Sequence, residues 1–104
     1  MEKAKAESMQ ELVQVQSGAV VSRTLVDRSA GTVTLFAFDA GQGLSEHTAP
    51  FDALVLCLEG EVDITISGTS SRLRTGEMII MPANEPHALQ AKSQFKMLLV
   101  MIRS

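Results

Sequence analysis

Three observations predict that this chain folds as a single all-β domain, a small antiparallel sandwich or barrel. Stretches rich in β-branched and apolar residues recur about every ten residues, the spacing of short strands joined by tight turns. The intervals between them carry turn chemistry, as at Asp27 to Gly31, Gly41 to Gly43, and Glu59-Gly60-Glu61. No internal repeat, heptad pattern or low-complexity tract competes with that reading.

At 104 residues the chain has room for one domain, of a size that buries roughly two thirds of its unfolded surface. Hydrophobic residues are 45% of the total and charged residues 20%, the balance of a globular protein rather than a disordered one. The net charge is −3 and the nine basic residues are scattered. No stripe of them could neutralise a run of phosphates, so neither nucleic acid nor an anionic membrane is expected as a partner. Residues 1–16 lack the apolar core of a signal peptide, and no uncharged run is long enough to span a bilayer, so a cytoplasmic protein is expected. The lone Cys57, set in LVLCLEG, reads as a small buried apolar residue. No His or Lys adjoins it in sequence to lower its pKa.

Residues 1–16 read as an N-terminal arm or short edge element and residues 17–104 as the barrel. Met1 to Gln10 has helix-forming residues but few apolar anchors, which predicts a frayed arm or a short helical turn. Glu11 to Val15 is expected to pack or pair as a first edge strand. VVSRTLV from Val20, the Asp27 to Gly31 turn and TVTLFAF make a hairpin. Leu44 to Thr48 must be extended to carry His47 to an interior face, and Ala49-Pro50 ends that strand. Ala53 to Leu58 is almost wholly apolar, as in a strand covered on both faces. The alternation of VDITISG follows, then a turn at Gly68 to Ser71, a short strand at Arg72 to Thr75, and the apolar run MIIM. Pro82 and Pro86 bracket a loop just before His87. The last strand, FKMLLVMI, is apolar on both faces except at Lys96, which calls for a second covering layer; a partner subunit is expected to supply it.

The two histidines fall in stretches that answer each other. In the first, Gly41 is followed after five residues by His47 and later by Gly60; in the second, Gly76 is followed by Pro82 and His87. These spacings resemble the two motifs of the cupin superfamily, and the resemblance covers about residues 20–102. It implies a jelly-roll barrel, a double-stranded β-helix of the small single-domain type, with His47 and His87 on one inner surface. Several positions depart from the pattern. The family's second motif-one histidine falls on Ala49, its glutamate on Ala53, the second glycine of motif two on Asn84 and its asparagine on Ala91.

Two of the four metal ligands that the resemblance implies are therefore alanine. His47 and His87 remain as metal ligands, with Asp52 as a possible third if the Pro50-Phe51 turn shortens the loop. A one-residue offset, however, turns a strand side chain to the opposite face. The same objection applies to Glu46. The expected cofactor is at most a weakly bound divalent transition metal, since stable sites usually have three or more protein ligands. The expected pocket is His47, His87, Ala49 and Ala53. Without a ligand each histidine would serve as a polar spot hydrogen-bonded to water or backbone. Met78, Met81, Met97 and Met101, all on expected strands, read as core or interface filler or as the lining of an adaptable cavity.

Three functions follow from this reading. The first is a dimeric binding barrel for a small organic ligand, with a degenerate metal site. The second is a metal-dependent enzyme, dioxygenase or isomerase in type, using His47 and His87. The third is an interaction protein whose apolar strands serve assembly. A homodimer contact is expected at Phe95 to Ile102 or the N-terminal strand beside it.

Overall fold

The computed structural model describes residues 3–103; Met1, Glu2 and Ser104, which belong to the expected arm and barrel, lie outside the described residues. Among the described residues nine strands follow one 3-10 turn at Met9–Glu11: β1 (Val20–Arg28), β2 (Gly31–Phe38), β3 (Gly43–His47), β4 (Asp52–Glu59), β5 (Glu61–Ile66), β6 (Thr69–Arg74), β7 (Met78–Met81), β8 (His87–Ala91) and β9 (Phe95–Ile102). They form a five-stranded sheet in the order β1-β2-β9-β4-β7 and a four-stranded sheet in the order β3-β8-β5-β6. Every pairing is antiparallel. The two sheets face each other as a jelly roll, and among the described residues no helix is long and apolar enough to cross a membrane.

The core lies between the sheets. Phe38, Val55, Val62, Ile64 and Phe95 are fully buried there, each contributing about 1.5–3 kcal/mol by leaving water. The Phe38 and Phe95 rings pack with centroids 5.3 Å apart. The apolar run of β4 divides as the period of two demands: Ala53, Val55 and Cys57 fill the barrel while Leu56 and Leu58 face out. Burial raises the pKa of the Cys57 thiol, in line with its reading as an inert core residue.

The outer face of the larger sheet is where the structure departs from expectation. Glu11 to Val15 is not a strand. The chain leaves the 3-10 turn as an irregular arm whose Leu12, Val13 and Val15 pack on Leu35, Ala37, Leu56, Leu58 and Leu98. Part of the covering layer expected from a partner is thus supplied within the chain. Lys96, the polar exception on the last strand, is buried, and its ammonium donates to the Gln10 carbonyl at 2.6 Å. The arm has too little alternation to hold a ladder but enough apolar residues to seal half a sheet face.

A second difference lies between β5 and β6. The strand expected from Arg72 begins at Thr69, directly paired with Ile66. Ser67 and Gly68 both take positive φ, +47° and +83°, and a two-residue turn of that kind matches strand twist, so pairing resumes at once. Gly60, at φ +85°, has a separate constraint: a Cβ there would collide with the Gln94 carbonyl oxygen.

Candidate functional site

The site is built by a bulge and a braced loop. β3 and β8 pair Leu44 with Leu89 and His47 with His87, with an irregularity between. Residues three apart on a regular strand face opposite ways; the bulge at Ser45 and Glu46 re-aims the chain so that both Leu44 and His47 line the barrel cavity, His47 while still exposed to solvent. The same bulge leaves the Ser45 carbonyl 2.7 Å from His47 Nδ1.

His87 opens β8 after the loop bracketed by Pro82 and Pro86, and that loop is fastened on three sides. Asn84 N–H donates to Ala49 O at 2.7 Å, Ser67 N–H donates to Pro86 O at 2.8 Å, and Ala83 N–H donates to the Asp52 carboxylate at 2.9 Å. Asn84 stands at the family's glycine position with φ +65°, a conformation asparagine tolerates better than other side chains. His87 Nδ1 lies 3.2 Å from the Glu85 carbonyl.

A carbonyl oxygen can only accept, so both Nδ1 atoms are the protonated nitrogens. In that neutral tautomer each Nε2 carries a lone pair, and the two Nε2 atoms lie 3.0 Å apart with the rings edge to face. His87 is 4% exposed. Burial pushes its imidazole below the ordinary histidine pKa; the bond to the Glu85 carbonyl opposes this and the neighbouring His47 adds to it.

The pair forms the polar end of a cavity of about 50 Å³ whose other walls are Leu44, Ala49, Ala53, Met81, Leu89, Met97, Leu99 and Met101. A water occupies at least about 10–15 Å³ on this measure, so the space holds roughly four waters, far below a drug-sized pocket. His47, His87, Ala49 and Ala53 are therefore brought together. Asp52 is not: it is exposed, on the face opposite Ala53, and its carboxylate braces the His87 loop instead. Glu46 is likewise exposed. Of the methionines, Met78 faces solvent at 45% exposure while Met81, Met97 and Met101 line the cavity. Leu44, Leu89 and Leu99 were not singled out from the sequence; alternation in HALQA, where His87, Leu89 and Ala91 are the buried set, is the signal for the second of them.

The implied divalent metal does not fit this donor set. Two imidazole nitrogens converge, both vacated ligand positions are alanine, and among the described residues no group of three or more His, Cys, Asp or Glu is placed to hold a metal ion.

Comparison with known proteins agrees with this architecture. Residues 34–103 match the family model described as the cupin domain, and the chain belongs to the cupin family. It is 39% identical to the conserved protein SPY1581 of unknown function from Streptococcus pyogenes, with a TM-score of 0.95 over 100% of this chain and 91% of that one. A cupin superfamily protein from Desulfitobacterium hafniense gives 27% identity and a TM-score of 0.94, covering 100% of this chain and 95% of that one. A cupin 2 conserved barrel domain protein from Leptotrichia buccalis is 38% identical with a TM-score of 0.88; the match covers 90% of this chain and 46% of that protein. No curated protein matches the chain in sequence.

Proposed function

We propose that the protein is a binding barrel for a small molecule of few heavy atoms, with a degenerate metal site and no turnover at a hard metal. The observation that supports this reading most is the His47–His87 pair at the end of a small, otherwise apolar cavity. Two convergent Nε2 lone pairs accept, so the ligand's polar end is a hydrogen-bond donor and its body is apolar. Short alcohols and amides suit that description. Titration with propan-1-ol and with acetamide, followed by NMR of the methionine methyls, is expected to give saturable shifts at Met81, Met97 and Met101 that His87→Phe abolishes. Purely linear, non-saturating shifts with both probes would rule the binding reading out.

The alternative, a metal-dependent enzyme of dioxygenase or isomerase type using His47 and His87, draws on the same convergence of nitrogens. Elemental analysis of the purified protein against a His47→Ala, His87→Ala double variant separates the two readings. A full equivalent of divalent metal, lost in the variant, favours the enzyme.

We also propose that the chain forms a homodimer in the cytoplasm, where a lone buried thiol stays reduced. The arm leaves uncovered a straight apolar row, Val26, Val33, Val100, Leu54 and Ile80, that runs in register across all five strands of the larger sheet. Val26 and Ile80 are 41% and 52% exposed, and Ile102 beside them 57%. A twofold axis through the middle of a straight row lays it on itself, which makes a second copy its natural cover. Sedimentation at micromolar concentration is expected to show a dimer that Val100→Lys dissociates; a wild-type monomer contradicts the proposal.

A further inference from the structure

The His pair and the cavity methionines together suggest a more specific occupant. With both Nδ1–H groups committed to carbonyls, the Nε2 atoms of His47 and His87 lie 3.0 Å apart with ring centroids 4.3 Å apart and the rings edge to face, so their lone pairs converge at an angle. With neither Nε2 protonated that contact is repulsive, and it is relieved by a shared proton or by a metal cation. The spacing suits one: with metal–nitrogen bonds of about 2.0–2.1 Å, nitrogens 3.0 Å apart subtend a bite of about 90–97°.

The remaining donors decide which cation. Ala49 and Ala53 offer none, Asp52 and Glu46 face away, and among the described residues the only other donor side chains lining the cavity are the thioethers of Met81, Met97 and Met101. Two of these flank the vacated glutamate position directly, since Ala53 is paired with Met81 on β7 and with Met101 on β9. Thioethers are poor ligands for Mg, Mn, Fe(II) or Zn and good ones for copper(I), which is content with two to four soft ligands. Methionine's three rotatable bonds let a sulfur turn toward an ion without moving the strand. The two histidines and the three methionines line one cavity of about 50 Å³, which has ample room for an ion.

We infer that the barrel cavity is a soft-cation site in which His47 and His87, joined by thioether sulfur from Met81, Met97 and Met101, bind copper(I). The inference rests on the reading of the cavity as a binding site and goes beyond the small organic ligand proposed above by naming an ion that the same cavity takes. The loss of the carboxylate then becomes part of the selectivity, because removing an anionic oxygen donor disfavours the hard divalent ions that would compete.

The test is anaerobic titration of the full chain with copper(I) under excess ascorbate, in competition with bicinchoninate, and with zinc(II) in parallel. One copper(I) per chain is expected, held at least about a hundredfold more tightly than zinc(II), with both nitrogen and sulfur neighbours in the copper X-ray absorption spectrum. The triple variant Met81→Leu, Met97→Leu, Met101→Leu conserves volume and is expected to lose at least about tenfold in copper(I) affinity with zinc(II) unchanged. The three single variants give the same reading should the triple fail to fold. Zinc(II) bound as tightly as copper(I), a sulfur-free spectrum, or unchanged copper(I) affinity in the leucine variants would overturn the assignment. If copper(I) fails to bind while propan-1-ol or acetamide still saturates, only the copper assignment falls. If neither binds, the reading of the cavity falls with it.

Discussion

Ala53 on β4 stands directly opposite Met101 on β9, in a row that Met81 on β7 completes. The space left by a short side chain is therefore bordered by two long, apolar, flexible ones. A carboxylate introduced at position 53 would enter that space between thioethers, and an imidazole at position 49 would meet it from the end of β3.

Restoring both family ligands, with Ala49→His and Ala53→Glu, is expected to raise occupancy by zinc or manganese well above wild type, because a four-donor set replaces a two-donor one. The metal-free variant should be less stable by about 1–3 kcal/mol, since the added atoms overfill a small cavity and a carboxylate is buried without a partner. Elemental analysis and urea denaturation with and without chelator measure the two effects. Equal occupancy near one metal per chain in both proteins would mean that a further donor already completes the wild-type site.

The N-terminal arm supplies a test of stability away from the site. Val13 is 4% exposed and packs with Leu35, Ala37 and Leu58 on the outer sheet face. Val13→Ala removes two carbon groups from that contact, an expected loss of about 1.5 kcal/mol at about 0.8 per group. Urea denaturation at equal slope reads it directly. No loss would mean the arm lies on the sheet without contributing to it.

The sequence made the strands of the central sheet readable because VVSRTLV, TVTLFAF, ALVLCL and FKMLLVMI carry β-branched or apolar runs between clear turns. Glycine and proline spacing around His47 and His87 made the shared inner surface readable too. The bulge at Ser45 and Glu46 was not, since nothing in LSEH marks an extra residue, and without it the inward turn of both Leu44 and His47 has no explanation. The role of Asp52 was hidden for a related reason. Its carboxylate satisfies a backbone N–H of a loop thirty-one residues away, a contact that no local pattern encodes. The arm misled because Leu12, Val13 and Val15 look like a strand fragment, whereas burial alone, without a ladder, suffices to place them.

Acid stability should carry the signature of Asp39. Its carboxylate accepts from Gly18 N–H at 2.7 Å, from Ala40 N–H at 2.9 Å and from the Gln94 side chain, and the two backbone bonds hold its pKa below the ordinary value of 3.8. A depressed carboxyl pKa means the folded state binds the proton less readily than the unfolded chain. The associated stability is therefore complete above pH 3.8 and is lost as pH falls through the lower folded value. Asp39→Asn should be less stable than wild type near neutrality and show a shallower decline below pH 3.8. Parallel slopes of unfolding free energy against pH in the two proteins would contradict this.

Asp52 allows positioning to be separated from ligation. Its Oδ1 accepts the Ala83 N–H, one residue before Asn84, whose own N–H is fixed to Ala49; together these bonds hold the loop that delivers His87 to His47. Removing the acceptor with Asp52→Ala frees one side of that loop and lets the 3.0 Å nitrogen pair relax. Copper(I) affinity is then expected to fall by about 10–100-fold, the range found when a group that orients a ligand is removed. Asp52→Asn keeps a side-chain oxygen able to accept the same N–H but has no charge to offer a cation. It should therefore retain affinity within about threefold of wild type if Asp52 only positions the loop, because its contact is with backbone and its face of the strand is the outer one. Loss in Asp52→Asn as large as in Asp52→Ala would instead make the carboxylate charge itself part of cation binding.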